Sequence, residues 1–447
     1  MTRRIVTVIF TASVFSTVVL ARTWTDRSGE FEVEAEYVGY KNGKVRLKSE
    51  KGKSITVDVQ RLSQADQEFV AEKRRIADEE GNPFNRSGLN KSVKALETEK
   101  AMEGLGCREP EHRARLLAKF GGTMESEAAV ALALNWLAKH QREDGSWRFD
   151  HREGECKGRC MNHGNLDGAP NASTAMSLLP FLAAGQTHSR GEFKSTVRAG
   201  LEFLVQNMKE EEDGGSFYEP RGTMYSHGLA TIALCEACAM TGDMNLMKPA
   251  QLALDYTEFA QDPDGGGWRY QPRQTGDTSV FGWQFVALQT GRIAGLEIAN
   301  ETLAGAERFL DMVQSNAGAR YGYTTPASGP ATTAIGLLSR IHLGWKHENV
   351  ALKSGIEFLS ETGVSKKNMY FNYFATQALF HYQGEWWKTW NEEMRDYLVD
   401  EQSKDGHQAG SWFVGADHGS RRGGRLYCTS LATLILESYY RHPLLYP

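Results

Sequence analysis

The sequence predicts a mostly helical repeat protein in which helix pairs stack into an inner and an outer ring, preceded by a small β-module. Three observations carry this reading. After Glu127 an Ala/Leu-rich stretch ending in Gln or an acidic residue is followed by a Gly-centred turn closed by an aromatic, five times clearly and once in degraded form. The copies read Gln141…Asp144-Gly145-Ser146-Trp147, Gln206…Asp213-Gly214-Gly215-Ser216-Phe217, Gln261…Asp264-Gly265-Gly266-Gly267-Trp268, Gln314…Tyr321-Gly322-Tyr323 and Gln402…Asp405-Gly406…Gly410-Ser411-Trp412, with Ser360…Tyr370-Phe371 as the weak one. A period of roughly 40 to 65 residues means one helix pair repeated, because a lone pair cannot bury its apolar face. Second, the helices alternate in character. Val197 to Asn207, Leu303 to Gln314 and Leu352 to Glu361 are amphipathic, whereas Ser173 to Ala184, Gly228 to Met240, Thr332 to Leu338, Phe374 to Phe380 and Thr429 to Leu436 carry few charges. A helix that is apolar nearly all round must be covered on both sides, as an inner ring is by an outer one. Third, from Arg22 to about Val70 the periodicity is two instead of 3.6.

Taken in order, residues 1–21 stand apart: Arg3-Arg4, an uncharged run from Ile5 to Leu20, and the small or aliphatic Val19-Leu20-Ala21 before Arg22. This is the pattern of a cleaved export signal, and the run falls short of the ~20 residues that span a bilayer. No later stretch is apolar enough to span one, so the expected location is secreted, periplasmic or extracellular. The chain has a formal charge of −5, and losing Arg3 and Arg4 makes it more acidic, which argues against a nucleic-acid partner.

Residues 22–70 form the β-module. Phe31, Val33 and Ala35 alternate with Glu30, Glu32, Glu34 and Glu36; Val45 and Leu47 alternate with Lys44, Arg46 and Lys48; Asn42-Gly43 is a hairpin signal between them. Ile55, Val57 and Val59 give a third strand, and Ser63-x-x-Asp66 a short capped helix. Residues 71–126 are charged and irregular, a linker with some helix. Residues 127–447 hold the repeats.

Two resemblances follow. Arg22-Thr23-Trp24-Thr25-Asp26 … Phe31-x-Val33-x-Ala35-x-Tyr37-Val38 … Gly43-x-Val45-x-Leu47 … Val57-x-Val59-x-x-Leu62-Ser63 resembles the SLA1 homology domain 1 (SHD1), an SH3-like module. The resemblance implies capture of a peptide or protein partner. Leu134-x-Trp136-Leu137-Ala138-x-x-Gln141-x-x-Asp144-Gly145-Ser146-Trp147 resembles the QW repeat of squalene-hopene and oxidosqualene cyclases, and the pattern from Glu127 to Pro447 resembles the terpenoid cyclase and protein prenyltransferase superfamily. The fold it implies is an α/α toroid, a six-fold helical-hairpin barrel whose inner helices converge on a central cavity.

The chemistry is a separate question, because one fold hosts unrelated activities. Hopene-type cyclases protonate an alkene with Asp-x-Asp-Asp-Thr; the matching segment here, Gln274-Thr275-Gly276-Asp277-Thr278, has Gly276 at the acid position. Prenyltransferases hold zinc with Asp, Cys and His at the toroid mouth, for which Asp277, Cys428 and His227 are the weak counterparts, without the family's Asp-x-Cys pair. Zinc is therefore not the expected cofactor. Cys156-x-x-x-Cys160-x-x-His163 lacks a fourth ligand at zinc-site spacing, and the two cysteines read as a short disulfide or as two surface thiols. Turns leading into inner helices should face the mouth and place His227, Asp277, Tyr373, Arg425 and Tyr427 there as candidate catalytic groups, types that a polysaccharide lyase uses as base, acid and carboxylate neutraliser. Three functions are thus open: a binding protein holding a ligand or protein partner; an isoprenoid cyclase or transferase with a non-standard acid; and a carbohydrate-active enzyme of lyase type with a glycan at the rim. Apolar walls would favour the isoprenoid, an open polar cleft the sugar, and a plugged cavity the binding protein.

Overall fold

The computed structural model describes residues 22–80, apart from 30, 42 and 50–52, and residues 105–445. The expected export signal, residues 1–21, lies outside the described residues. The chain divides into two compact units with the boundary at Leu89–Asn90.

The first unit is a four-stranded antiparallel sheet, β1 (Arg22–Thr25), β2 (Glu32–Lys41), β3 (Lys44–Ser49) and β4 (Ser54–Asp58), paired in sequence order and followed by helix α1 (Gln64–Glu80). Alternation puts Ala35, Val45 and Leu47 on one face, where they bury with Trp24, Leu62 and Val70. Phe31 does not join them: it precedes β2 and is 73% exposed. Asp66 ties strand to helix, accepting from Arg22 Nη2 at 2.6 Å, Thr25 N at 2.8 Å and Ser63 Oγ at 2.9 Å. The helix is longer than the short capped one read from the sequence, running through Val70 to Glu80.

The second unit is an α/α toroid. After α2 (Pro110–Phe120), which lies within the segment read as linker, six outer–inner pairs follow: α3 (Met124–Ala138) with α4 (Pro170–Ala183), α5 (Lys194–Asn207) with α6 (Thr223–Thr241), α7 (Met244–Phe259) with α8 (Thr278–Ile293), α9 (Asn300–Val313) with α10 (Pro330–His342), α11 (Val350–Thr362) with α12 (Met369–Tyr382), and α13 (Gly384–Glu401) with α14 (Ser420–Leu436). A short helix, α15 (Ser438–Arg441), ends the chain. Each inner helix packs on the next and α14 packs on α4, so the inner ring closes.

The repeated turn is the joint of this ring. Gln141, Gln261 and Gln402 each donate from Nε2 to a carbonyl of their own turn and to one of an outer helix beside it: Gly145 and Thr196, Gly266 and Thr302, Gly410 and Ala129, all at 2.8–3.0 Å. The closing Trp147, Trp268 and Trp412 send their indole N–H back to Leu137, Thr257 and Leu398 O of the preceding outer helix at 2.7–2.8 Å. Gly266 sits at φ 79°, and a Cβ there would lie 2.0 Å from Gly305 O of the next outer helix, which is why the turn is Gly-centred. In the copies beginning at Gln206 and Gln314 a two-stranded hairpin replaces the glutamine clamp, Lys209–Glu211 with Gly214–Ser216 and Gln314–Ser315 with Arg320–Tyr321.

Candidate functional site

Side chains fill the bore of the toroid. Trp283 on α8 stacks on Tyr373 of α12 with centroids 5.2 Å apart, and Tyr370 of α12 hydrogen-bonds Ser279 O of α8 at 2.7 Å, although α10 separates those helices in the ring. Tyr225 OH meets Ser279 Oγ at 2.7 Å. At the far end Glu236, fully buried, receives Arg108 Nη1 at 2.9 Å and Arg441 Nη2 at 3.1 Å, and Arg441 also donates to Tyr373 OH at 2.7 Å. Burial alone would raise the Glu236 pKa, but the two guanidiniums hold it below the usual carboxylate value. The void beside this seal, lined by His342, Tyr373, Gln377, His381 and His442 among others, measures about 20 Å³, room for about one water.

The mouth is open. A cleft of about 480 Å³ is lined by Asn165, Leu166, Pro220, Arg221, Thr223, Arg421 and Arg422, where the starts of α4, α6 and α14 meet. All three arginines are exposed, and among the described residues none has an ion-pair partner. Helix starts add partial positive charge to the same place. Tyr270, whose carbonyl accepts from Met224 N at 3.0 Å, stands 38% exposed with its hydroxyl 2.6 Å from that of Tyr323. Thr223 itself has φ 59°, a left-handed conformation that strains a β-branched residue.

The buried carboxylates near the mouth are engaged as helix caps. Glu219 accepts from Asn171 N at 2.9 Å, Ala172 N at 3.4 Å and Ser226 Oγ at 2.5 Å. Asp277 Oδ1 accepts from Val280 N at 2.9 Å, and Asp417 accepts from Met369 N at 2.6 Å and Gly419 N at 2.7 Å. Burial raises the pKa of Glu219 and of Asp277.

The residues expected to form one catalytic rim do not converge. His227 faces the outer ring: Nδ1 accepts from Phe217 N at 3.3 Å, and Nε2 lies 2.9 Å from Thr257 Oγ1 and 3.1 Å from Ala253 O. Burial pushes its pKa down to about 3, so it is neutral. Its bond to the turn is the one that Thr174, Thr333 and Thr429 make to Trp147, Tyr321 and Trp412 N at 3.1 Å in other copies. Asp277 caps α8, with Arg269 Nε 3.5 Å from Oδ2. Tyr373 lies down the bore on Arg441. Arg425 turns outward, donating to Met161 O, Ser403 Oγ and Ser411 Oγ. Tyr427 is buried, and burial raises its pKa well above the ordinary value, with Asp417 nearby adding to the shift. Cys428 pairs with Ser420 Oγ at 3.1 Å, its thiol pushed by burial up to about 11. His227, Asp277 and Cys428, the weak zinc candidates, form no metal-sized cluster.

Cys156 and Cys160 are free thiols and both are buried, at 2% exposure, where the sequence suggested a disulfide or surface thiols. His163 is exposed and does not join them; His140, after α3, does, with the three ligand atoms within 4.8 Å of one another. Sequence spacing missed His140 because it lies in a different element. Aligning the repeats exposes it: the residue before the turn glutamine is Val205, Ala260, Val313 or Glu401 elsewhere.

Comparison with known proteins agrees with both units. The family model for SLA1 homology domain 1, SHD1, matches residues 16–77. An actin cytoskeleton-regulatory complex protein sla1 of Sclerotinia sclerotiorum is 38% identical over 79 residues, 18% of this chain and 7% of that protein. Thus the chain spans a small part of the relative's length. A GH76 α-mannanase of Bacteroides thetaiotaomicron superposes over 73% of this chain and 98% of its own, with a TM-score of 0.50 and 11% identity. A type II terpene cyclase of Scytonema superposes over 72% of this chain and 98% of its own at a TM-score of 0.48 and 12% identity. The chain carries an SHD1 module, and its second unit has the α/α toroid fold.

Proposed function

We propose that this is an exported binding protein whose toroid takes an anionic ligand at its mouth, while the SHD1 module contacts a protein partner. The observation that carries the reading is the division of charge at the mouth: the buried carboxylates at the inner-helix starts are engaged as caps, while Arg221, Arg421 and Arg422 face the cleft without ion-pair partners among the described residues. Catalysis by general acid and base needs a carboxyl that can reach substrate. Asp277 is fully buried and Glu219 accepts hydrogen bonds at both oxygens.

Among anionic classes an acidic saccharide fits best. Guanidinium forks suit carboxylates, the groups that an acidic saccharide presents. The cleft volume falls within the roughly 300–1,000 Å³ usual for small-ligand sites. Among the described residues the void in the bore measures about 20 Å³, too small for an isoprenoid chain. Export is supported by Arg3-Arg4 and the apolar run to Leu20, and among the described residues no helix is long and apolar enough to cross a membrane.

Titration calorimetry with an oligogalacturonate, against a neutral manno-oligosaccharide and inorganic phosphate, tests the reading. Binding of the uronate alone, weakened at least tenfold in Arg421→Ala/Arg422→Ala and falling with added salt, is expected. Equal affinity for the neutral sugar, or breakdown of either saccharide, would overturn it.

A further inference from the structure

We propose that His140, Cys156 and Cys160 form a binding site for a zinc-class divalent cation, which staples the loop that builds one wall of the mouth cleft. His140 Nδ1 lies 2.6 Å from Trp136 O, so Nδ1 carries the proton and the lone pair sits on Nε2. That nitrogen is buried with no hydrogen-bond partner, in a residue only 3% exposed. A buried acceptor left unmatched is costly, and an ion would satisfy it. An imidazole held by a backbone carbonyl through its other nitrogen is also the arrangement that orients metal-bound histidines.

The two sulfurs come from one tight loop. Lys157 at φ 47° and Gly158 at φ 74° fold the chain so that Cys160 N donates to Cys156 Sγ at 3.0 Å. Burial raises the Cys160 thiol, which donates to His407 O at 3.0 Å, to about 11, a shift that the indole N–H of Trp136 and the Arg425 guanidinium only partly offset. With all three ligand atoms within 4.8 Å of one another, small side-chain rotations bring them to the roughly 3.5–4 Å separations set by metal–sulfur bonds of about 2.3 Å and metal–nitrogen bonds of about 2.0 Å. Two thiolates and an imidazole suit zinc, and exclude calcium and magnesium, which take oxygen ligands. Binding releases one proton from each thiol to solvent and leaves the two negative charges balanced by the ion. The fourth position is open to His151, whose Nε2 is likewise buried without a partner and whose ring lies 5.4 Å from that of His140.

The loop continues from the ligands into the cleft. Asn162 O accepts from Arg425 N at 2.8 Å, Gly164 N donates to Phe149 O at 2.9 Å, and Asn165 N and Leu166 N donate to Arg421 O and Arg422 O at 3.2 and 3.0 Å. Fixing Cys156 and Cys160 to His140 therefore fixes Asn165 and Leu166 against the arginines.

The test uses the full chain, purified and reduced, with Zn(II) quantified by elemental mass spectrometry and Co(II) as optical probe. One Zn(II) per chain is expected, with Co(II) giving thiolate-to-metal charge-transfer absorption. Cys156→Ser, Cys160→Ser and His140→Ala should each weaken binding at least tenfold, and His163→Ala should leave it intact. Where a cysteine variant fails to fold, the Co(II) spectrum of the unaltered chain still decides. Absence of thiolate charge transfer, isolation of the chain with a Cys156–Cys160 disulfide and no metal uptake after reduction, or equal loss in His163→Ala would overturn the proposal.

Discussion

Replacing His227 by threonine should be tolerated, and replacing it by alanine should not. In three other repeats a threonine hydroxyl accepts the N–H of the turn aromatic, and His227 Nδ1 does so for Phe217. His227→Ala orphans that buried N–H, at about 1–3 kcal/mol. The void left by the imidazole adds about 1–2 kcal/mol at roughly 24 cal/mol per Å³, for about 2–5 kcal/mol in all. Thr257 Oγ1 keeps its own bond to Ala253 O at 3.0 Å and adds nothing to the loss. His227→Thr restores the acceptor and leaves only the void, about 1–2 kcal/mol. Urea-unfolding midpoints at unchanged slope measure both variants, and calorimetry on the uronate oligomer checks that binding is untouched. A threonine variant as unstable as the alanine one, or one that folds normally and loses binding, would refute this structural role.

Acid should weaken the toroid through the same residue: burial pushes His227 and His342 down to about 3 and about 4 from 6.5, so both are neutral in the fold. Between pH 6.5 and about 4 the unfolded chain binds more protons, so stability is complete above that window and falls as pH drops through it, by about 1.4 kcal/mol per unit for each histidine; a urea midpoint flat across the window would contradict this. Gln402→Ala removes the clamp that joins the last turn to Ala129 of the first outer helix, and should cost about 1–3 kcal/mol in the same assay, while Gln206→Ala, on an exposed side chain, should cost nothing measurable. Asp66→Ala removes three hydrogen bonds from the β-module and should raise amide exchange within residues 22–73 by about 2–3 kcal/mol of lost protection, with the toroid unchanged.

The toroid was legible because its information is local and repeated. A Gln three residues before Asp-Gly, closed by Trp, defines a turn whose bonds all lie within one copy and its neighbouring outer helix. The mouth residues were not legible, because a residue on the first turn of an inner helix can face the bore, the preceding turn or the outer ring, and sequence position alone leaves all three open. His227 took the second and third directions, Tyr373 the first, and Arg425 turned to Met161 and Ser411. In-register comparison of the copies supplies the missing information: at the position of Thr174, Thr333 and Thr429, a histidine is a variant of the turn anchor. The same comparison marks His140 as foreign to its register, and there the difference points to a local role.

A toroid with an empty bore can bury a ligand along its axis; one whose non-adjacent inner helices touch has little beyond its mouth to offer. Here Trp283 and Tyr373 meet inside the ring past the intervening α10, and the Arg108–Glu236–Arg441 cluster seals the base. Breaking such a buried cluster by removing one member costs about 3–5 kcal/mol, so opening the bore for a ligand is costly. At the mouth the balance runs the other way: the chain as a whole is acidic, yet three arginines share one cleft without ion-pair partners among the described residues, and Thr223 beside them holds a strained backbone. Like charges held together cost stability unless something neutralises them, and that cost is returned when an anion of matching spacing binds. The bore supplies rigidity, and on the proposed reading recognition falls to the cleft.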